Sequence, residues 1–252
     1  MSRIFGKNQS IEYARVEGFW ERRSERVREL GAMRACMFGP DEEFTRRRDM
    51  IERETVLPVL GISKNSRVLD IGCGIGRWGQ VLAPAVGSYL GIDPCKGFLD
   101  IAQEAFDTQG FPSETHRLQL LHAQHVSEAT VALPPPFDLV VIAGVLHYLN
   151  DEDITGLLGR LSHLMAKKST VYVRGPIALD ERLTVLEHFS EDLGDYYHAI
   201  YRTIPEHEAL FKKMLPSFTV SHSRHLYPDE LCNRKETAQH FFILQNTDMG
   251  TD

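Results

Sequence analysis

The sequence predicts an α/β fold in which helices cover both faces of a mostly parallel, seven-stranded, doubly wound sheet. Short apolar segments alternate with helical segments from Arg67 onward, and the first of them runs into a glycine-rich turn. The segment 137–143 is almost continuously apolar, as expected for a strand buried on both faces. Strands separated by helices indicate parallel pairing through helical crossovers.

The composition is that of a globular protein, with 252 residues of which 42% are hydrophobic and 25% charged. No apolar run reaches the ~20 residues that span a bilayer, and the N-terminus lacks the apolar stretch of a secretory signal. A cytoplasmic protein without a membrane partner is therefore expected. The net charge of −7 makes nucleic acid an unexpected partner. The four cysteines form no CxxC pair, which argues against a disulfide framework and a zinc site, and no metal is expected.

Residues 1–62 are expected to form an N-terminal helical cap. A charged helix with sparse apolar positions is predicted over 10–35. A second helix is predicted from Asp41 to about Leu60, with Pro58 disturbing its last turn. The arginine run at 46–48 on that helix is typical of a solvated face.

Residues 63–252 are expected to form the main domain. The predicted strands cover 67–71, 88–93, 117–122, 137–143 and 169–174, and the helices between them cover 76–85, 96–109 and 151–166, the last capped with help from Asp153. An insertion follows strand five at about 176–216, with two helices of which the second opens at the capping-box spacing Thr203–Glu206. Two β-rich runs, 218–227 and 238–245, predict an antiparallel C-terminal hairpin that closes the sheet edge.

The glycine-rich turn at 72–76 carries the chemical information. Glycines there let the backbone turn sharply and let a ligand approach without Cβ clashes, and the following helix N-terminus presents unpaired N–H groups. Asp93 ends the next strand, where a carboxylate can accept hydrogen bonds from both ribose hydroxyls of a nucleoside cofactor.

Two cofactors fit this turn. Gly74, Gly76 and Gly79 satisfy the GxGxxG spacing of dinucleotide sites, so an NAD-dependent oxidoreductase is one alternative. Asp70, however, stands two positions before Gly72, where its carboxylate would repel a pyrophosphate. S-adenosylmethionine has no phosphate and carries an ammonium group that a carboxylate favours, so the charge pattern selects that cofactor.

Three segments resemble the class I S-adenosylmethionine-dependent methyltransferases, namely LDIGCGIGRWG, YLGIDP and FDLVVIAGVLHYLND. They occur in the family's order and span roughly residues 67–175. The resemblance implies a Rossmann-like fold and the conversion of S-adenosylmethionine to S-adenosylhomocysteine. It does not cover the N-terminal 60 residues or the insertion.

The resemblance also implies contacts to the cofactor. Asp93 would hold the ribose diol, and the loop containing Gln124 and His125 would lie against adenine. Gln124 stands where many relatives have an aspartate, and its side-chain oxygen can still accept a hydrogen bond from the adenine amine. The remaining expected contacts are to the methionine and ribose from Gly72, Gly74 and Gly76, to the methionine from Ala143, to the ammonium from Asp70, and from the cap through Trp20.

Methyl transfer requires a nucleophile held in line with the methyl group and, for a hydroxyl or ammonium acceptor, removal of a proton. His147 follows the fourth strand at the ligand-binding rim and is the candidate base. An arginine with phenols can grip a carboxylate, phosphate or sugar hydroxyls. The candidate acceptor contacts are therefore Arg174, Tyr197, Tyr201 and Arg202, although helix packing with Arg202 paired to an acid is an equal alternative.

The expected function is methylation of an oxygen or nitrogen of a small molecule, such as a natural product, a sugar or a related metabolite. Two alternatives keep the fold: an RNA or protein methyltransferase with an open groove, and a binding module that holds the cofactor without turnover. The sequence gives no prediction of the oligomeric state.

Overall fold

The computed structural model describes residues 2–191, 193–232 and 234–246. The main sheet has seven strands in the order β4-β3-β2-β5-β6-β10-β9, with β2 to β6 parallel and β10 antiparallel to both of its neighbours. This confirms the predicted doubly wound sheet and its C-terminal hairpin. The strands of this sheet are β2 (Arg67–Ile71), β3 (Ser88–Asp93), β4 (His116–Leu120), β5 (Phe137–Ala143), β6 (Met165–Ala178), β9 (Phe218–His225) and β10 (Thr237–Asn246).

Helices lie before and between these strands. Thr203 caps the last of them with the predicted reciprocal capping box, in which Glu206 bonds back to the Thr203 backbone N–H. The helices are α1 (Tyr13–Glu25), α2 (Val27–Leu30), α3 (Ala32–Met37), α4 (Glu42–Val56), α5 (Gly79–Leu82), α6 (Lys96–Gln109), α7 (Asp151–Leu164) and α8 (Ile204–Met214).

The core consists of two apolar layers, one on each face of the sheet, because successive side chains along a strand point to opposite faces. On β2, Leu69 and Ile71 pack with α7 and α8 on one face, and Val68 packs with α4 and the α5 segment on the other. Asp70 therefore shares the Val68 face, beside Tyr89 and Trp78. This alternation decides where each polar side chain of the glycine motif lies.

The insertion is largely a sheet, so the helix predicted in its first half is wrong. Strands β7 (Leu183–Ser190) and β8 (Asp195–Tyr201) pair antiparallel, and β1 (Ser2–Phe5), within the predicted helical cap, adds to the edge of β7. Residues 195–201 are rich in aromatic and aliphatic side chains that pack against a pleated surface. The outcome is a second, three-stranded sheet with the order β1-β7-β8.

The cap differs from prediction in its first helix, which is broken into α1, α2 and α3. Gly31 separates the last two at a φ of 80°, a left-handed conformation that ends a helix. Around Pro58 the second helix tightens into a 3-10 turn, as expected. The described part of the chain contains no helix that is long and apolar enough to cross a membrane.

The side chain expected to help cap the N-terminus of α7 instead joins α7 to the N-terminal helical cap. Asp153 accepts a hydrogen bond from the Tyr13 hydroxyl and makes no cap bond, so that prediction is wrong. Asn150, at the N-cap position, also turns its amide away: its Oδ1 accepts from the Ile11 N–H at 2.9 Å and its Nδ2 donates to the Ile11 carbonyl at 3.1 Å. These contacts fix the start of α1 above the carboxyl ends of the strands.

Candidate active site

The site lies where the strand order reverses, between the adjacent parallel strands β2 and β5. Connections leave these two strands in opposite directions, which opens a cleft at their carboxyl ends, the position at which doubly wound sheets bind ligands. Arg174 stands on the rim beside it. Described residues lining this cleft include Tyr13, Glu17, Trp20, Gly72, Gly74, Asp93, Phe98, His122, Gln124, Ala143, Val145, Tyr148 and Arg174.

The glycine turn forms the floor of the cleft. The N–H groups of Gly72 and Cys73 both donate to the Ile92 carbonyl, at 2.8 and 2.9 Å, which binds the turn to β3. Gly72 has a φ of +73°, and a Cβ there would lie 2.3 Å from the Val145 Cγ2 atom. Only glycine satisfies both the backbone angle and the contact.

Asp93 is anchored by the backbone on both carboxylate oxygens. The Gly74 N–H donates to its Oδ2 at 2.9 Å and the Cys95 N–H to its Oδ1 at 2.8 Å. Burial raises the pKa of Asp93 to about 6, although these two N–H groups oppose the rise. Each oxygen keeps a second lone pair, so the fixed carboxylate can accept hydrogen bonds from two vicinal hydroxyls of a ligand.

The far end of the cleft is formed by the short 3-10 helix Ala123–His125. Arg160 holds this helix in place by donating to the Gln124 and Val126 carbonyls, at 2.6 Å each. Gln124 lines the cleft, and its backbone carbonyl is fixed by Arg160. His125 is not one of the described residues that line it.

Two predicted cofactor residues lie behind the cleft surface. Asp70 is only 1% exposed and accepts a 2.6 Å hydrogen bond from the Tyr89 hydroxyl, because strand alternation turns it to the covered face. Burial raises the pKa of Asp70 to about 7, against the opposing effect of that hydrogen bond. Gly76 faces α6, where a Cβ would lie 3.0 Å from the Ala102 Cβ. Neither Asp70 nor Gly76 is one of the described lining residues.

A second, larger cavity of about 520 Å³ adjoins the cleft. Its walls come from the cap, from all three strands of the inserted sheet and from the connection between β9 and β10. Six described residues line both cavities, so the two spaces meet there: Trp20, Cys36, Met37, Gly144, Tyr148 and Arg174.

Three of the four predicted acceptor residues line this larger cavity. Arg174 stands at the junction, and Tyr197 and Tyr201 line the wall formed by β8. The Tyr197 hydroxyl lies 2.8 Å from that of Tyr148. Arg202 does not line either cavity, because its side chain is buried and only 1% exposed. It donates to Asp151 and to the Leu146 and Leu149 carbonyls, the packing role that was the alternative.

His147 also lines the larger cavity, stacked on Tyr201 with ring centroids 6.2 Å apart. Burial, together with the positive charges of Arg174 and Arg202, lowers its pKa to about 3. The imidazole is therefore neutral at physiological pH. Its Nδ1 atom is buried and has no hydrogen-bond partner among the residues that the structure describes.

Sequence reasoning missed the buried carboxylate beneath this junction. Glu52 of α4 is 0% exposed and receives hydrogen bonds from Arg77 at 2.9 Å, Tyr172 at 2.6 Å and Arg174 at 2.8 Å. Burial alone would raise the pKa of Glu52, but the two guanidinium groups outweigh it and hold that pKa well below its ordinary value. Glu52 thereby fixes the guanidinium of Arg174 at the junction. No local motif marks it, since its partners are 25 to 122 residues away.

Arg48 was also misjudged. It belongs to the arginine run expected on a solvated face, but it is 4% exposed and lines the larger cavity, where it donates to the Leu231 carbonyl. Arg46 of the same run behaves as expected, exposed and paired with Glu42.

Comparison with known proteins agrees with this geometry. The family model of a methyltransferase domain matches residues 69–171. No curated protein sequence matches the chain. Three solved structures share its fold, each with a TM-score above 0.5.

The first is an S-adenosylmethionine-dependent methyltransferase from Leishmania major, with 18% identity, a TM-score of 0.64, and coverage of 93% of this chain and 87% of that one. The second is phosphoethanolamine N-methyltransferase 1 of Haemonchus contortus, bound to phosphoethanolamine and S-adenosylhomocysteine, with 17% identity and a TM-score of 0.71. It is matched over 96% of this chain but 51% of its own, so this chain spans about half of that protein. The third is 1,6-didemethyltoxoflavin-N1-methyltransferase of Burkholderia thailandensis, with 17% identity, a TM-score of 0.60, and coverage of 98% and 96%.

These structural likenesses establish a shared fold, and the matched family model identifies the segment that carries the glycine turn, Asp93 and strand β5. Residues 69–171 thus match a methyltransferase domain, in agreement with the predicted resemblance to the class I S-adenosylmethionine-dependent methyltransferases.

Proposed function

We propose that this methyltransferase transfers a methyl group from S-adenosylmethionine to an oxygen or nitrogen of a small-molecule acceptor. The observation that carries the proposal is the pair of adjoining cavities. One is the cleft at the strand-order reversal, and the other is a partly open cavity of about 520 Å³ that meets it at six residues. A space of this size suits a metabolite-sized ligand.

The cleft fits the cofactor. The Asp93 carboxylate is anchored to accept the ribose diol, and Gly72 and Gly74 line the floor without side chains that would block a ligand. Gln124 lines the end of the cleft at which the adenine is expected. Ala143 lines the cleft at the end of β5, and Trp20 covers it from the cap. When bound, S-adenosylmethionine supplies a methyl group on a positively charged sulfur, which regains the carbon–sulfur electron pair as the methyl group leaves.

The protein's own contribution is to hold the acceptor at the junction and exclude water from it. Trp20 closes the junction on the cap side, packed against Phe38 at 5.2 Å and Tyr148 at 5.4 Å between ring centroids. Arg174 is fixed there by Glu52 and can orient a polar group of the acceptor. Positioning of this kind is the main source of rate in an in-line displacement.

His147 is the candidate group for the acceptor's proton. With its pKa lowered to about 3, it is a weak base at neutral pH, but its neutral ring can accept a hydrogen bond from an acceptor hydroxyl or amine. We therefore assign His147 first to orienting the nucleophile. A negative charge bound nearby would offset the repulsion from Arg174 and Arg202 and would make the ring more basic.

An RNA or protein acceptor is the principal alternative. A polymer needs an open groove, whereas here the cap, the inserted sheet and the β9–β10 connection all contribute walls to the acceptor cavity. The net charge of −7 also opposes binding to a polyanion. A non-catalytic cofactor-binding module shares the same cleft, and only turnover distinguishes it.

The first experiment measures S-adenosylhomocysteine and NADH binding by titration calorimetry. We expect S-adenosylhomocysteine to bind and Asp93→Asn to weaken it by at least about tenfold, since a hydrogen-bonded anion contributes ~1.5–3 kcal/mol. Asp100→Asn is the matched control, because Asp100 lies on the exposed side of α6 and pairs with Lys96. Preference for NADH, or equal affinities for the two variants, would contradict the cofactor assignment.

The second experiment supplies labelled S-adenosylmethionine to fractionated cell extract. We expect label in the small-molecule filtrate. Label confined to the RNA or protein fraction would favour the alternative acceptors, and measurable cofactor binding without any transfer would favour the binding module.

A further inference from the structure

We propose that the acceptor is an anion, and that a carboxylate, phosphate or phosphonate group on it is held by Arg34 and Arg48 in the wall of the larger cavity. This inference rests on the proposed function, because it assigns that cavity to the methyl acceptor. It goes further by naming the chemical class that the cavity selects.

The first observation is the imbalance of charge around the cavity. Its described lining includes five arginines, whereas its one carboxylate is that of Glu236. The whole chain has the opposite balance, with 28 lysines and arginines against 35 acidic residues. The positive charge is therefore concentrated at this cavity and is not a consequence of composition. The five arginines are Arg3, Arg34, Arg48, Arg174 and Arg234.

Two of these arginines already have carboxylate partners. Arg174 pairs with Glu52 at 2.8 Å and Arg3 pairs with Glu236 at 2.9 Å. Arg34 differs, because in the described part of the chain its guanidinium makes no ion pair and one long hydrogen bond, 3.4 Å from Nε to the Gly39 carbonyl. It is half-buried on α3 and lines the cavity.

Arg48 brings a second positive charge to the same wall. Its guanidinium donates to the Leu231 carbonyl and lies over the rings of Phe44 and Tyr227, at 4.4 and 5.0 Å from their centroids. The carbonyl and the two rings are uncharged groups, so these three contacts leave the guanidinium positively charged. Burial accordingly lowers the pKa of Arg48. An anion bound in the cavity would offset the free-energy cost of burying the Arg48 charge.

The protein walls around the cavity strengthen this preference for an anion by reducing the screening of charge by water. At a given separation, an ion pair is about four times stronger at an effective dielectric constant of 20 than in bulk water. Arginine also presents a planar fork of N–H donors that matches carboxylate and phosphate oxygens. On the same cavity, Tyr197, Tyr201 and His147 supply uncharged polar groups for the remainder of the acceptor. The arrangement favours a small acid with a second polar group that can be methylated.

The test uses the full chain saturated with S-adenosylhomocysteine and three probes: methylphosphonate, acetate and tetramethylammonium. Binding is measured by titration calorimetry at constant ionic strength. We expect at least one anion to bind and the cation not to bind, and the ratio of the two anion affinities separates a phosphonate-type from a carboxylate-type site. Binding of the cation in preference to both anions would overturn the proposal, as would the absence of anion binding.

The variant series is Arg34→Gln, Arg34→Lys and the control Arg46→Gln. Arg34→Gln removes the charge and should weaken anion binding by about tenfold, the loss of roughly one charge-assisted hydrogen bond. Arg34→Lys keeps the charge and should restore part of the affinity. Arg46, exposed on α4 and paired with Glu42, should have no effect.

S-adenosylhomocysteine affinity separates the two hypotheses, because Arg34 is not one of the described residues lining the cofactor cleft. Unchanged cofactor affinity in Arg34→Gln, with weakened anion binding, supports the inference and shows that the variant is folded. Equal anion binding by wild type and Arg34→Gln overturns it. A wild-type protein that does not bind S-adenosylhomocysteine at all contradicts the proposed function instead.

Discussion

Replacing Glu52 by glutamine tests whether one buried carboxylate holds the cap, the sheet and the junction together. Glu52 comes from α4 of the cap, whereas its partners Arg77, Tyr172 and Arg174 belong to the main domain. Glutamine keeps the shape and one acceptor oxygen, so Tyr172 can still donate to it. What it removes is the negative charge between two buried guanidinium groups.

The structure sets the size of the effect. Removing one partner of a buried ion pair typically costs about 3–5 kcal/mol, because the other charge remains buried without compensation. Arg77 keeps a second carboxylate, since its Nη1 lies 2.7 Å from Asp49 Oδ1. Among the residues that the structure describes, Arg174 keeps the Tyr227 hydroxyl, at 3.5 Å, as its remaining side-chain partner. With one of the two cations still paired, we expect the lower end, about 3 kcal/mol, and a fall in melting temperature of roughly 6–12 °C.

Urea unfolding and thermal melting of Glu52→Gln measure this loss, and Glu42→Gln is the matched control. Glu42 lies on the same helix, exposed and paired with Arg46, where ion pairs contribute about 0–1 kcal/mol. The folded-state pKa of Glu52 is depressed, so its contribution is present above the unfolded value near 4.5 and is lost as the pH falls below it. Equal losses for the two variants, or a difference that grows in acid, would refute the reasoning.

Three further variants test neighbouring parts of the site. Asp70→Asn should gain stability relative to wild type as the pH rises from about 4 to about 7, because burial raises the folded-state pKa of Asp70 to about 7. The gain should be at most ~1.4 kcal/mol per pH unit. Urea unfolding at several pH values measures the difference in stability, and a difference that does not change with pH would contradict the prediction. His147→Gln should lower kcat, and the pH-rate profiles of the variant and the wild type should have the same shape near pH 6.5, because the ring is already neutral there. An inflection near pH 6.5 in the wild type that the variant lacks would show a titrating base. Gly72→Ala should destabilise the protein more than Gly110→Ala. The two glycines have similar φ values, +73° and +69°, but a Cβ at Gly72 would lie 2.3 Å from Val145, whereas Gly110 faces open space. Equal melting temperatures of the two variants would exclude the clash.

The main sheet could be predicted because its signals are local. A strand buried on both faces is apolar throughout, and a turn that needs left-handed angles is marked by glycine, so β2, β5 and the turn at 72–76 are visible in the sequence alone. The inserted sheet was missed for the opposite reason. Strand β7 contains a bulge at 185–188, where Glu187 has a φ of 47°, and it pairs with β1 about 180 residues away, so neither alternation nor proximity along the chain identifies it.

The cofactor cleft was more predictable than the acceptor cavity, again for a physical reason. Asp93 and Gln124 follow strands whose ends meet at one edge of a parallel sheet, so their convergence follows from topology. Asp70 shows the limit of that reasoning, because charge near a turn says nothing about which face of the strand carries it. Glu52 and Arg48 lie on a helix whose polar surface reads as solvated, and only the tertiary arrangement turns both toward the main domain.

Under the proposed function, the two cavities divide cofactor binding and acceptor binding between different parts of the chain. The floor of the cofactor cleft comes from residues 69–171, whereas most of the acceptor cavity comes from the cap, the inserted sheet and the β9–β10 connection. Changes such as Arg34→Gln should therefore alter acceptor affinity alone, and Asp93→Asn cofactor affinity alone. Arg174 lines both spaces and is held by Glu52 from the cap, so substitution of either residue should change both affinities together. Under the proposed function, the cap would therefore influence both affinities through Arg174 as well as by covering the cleft.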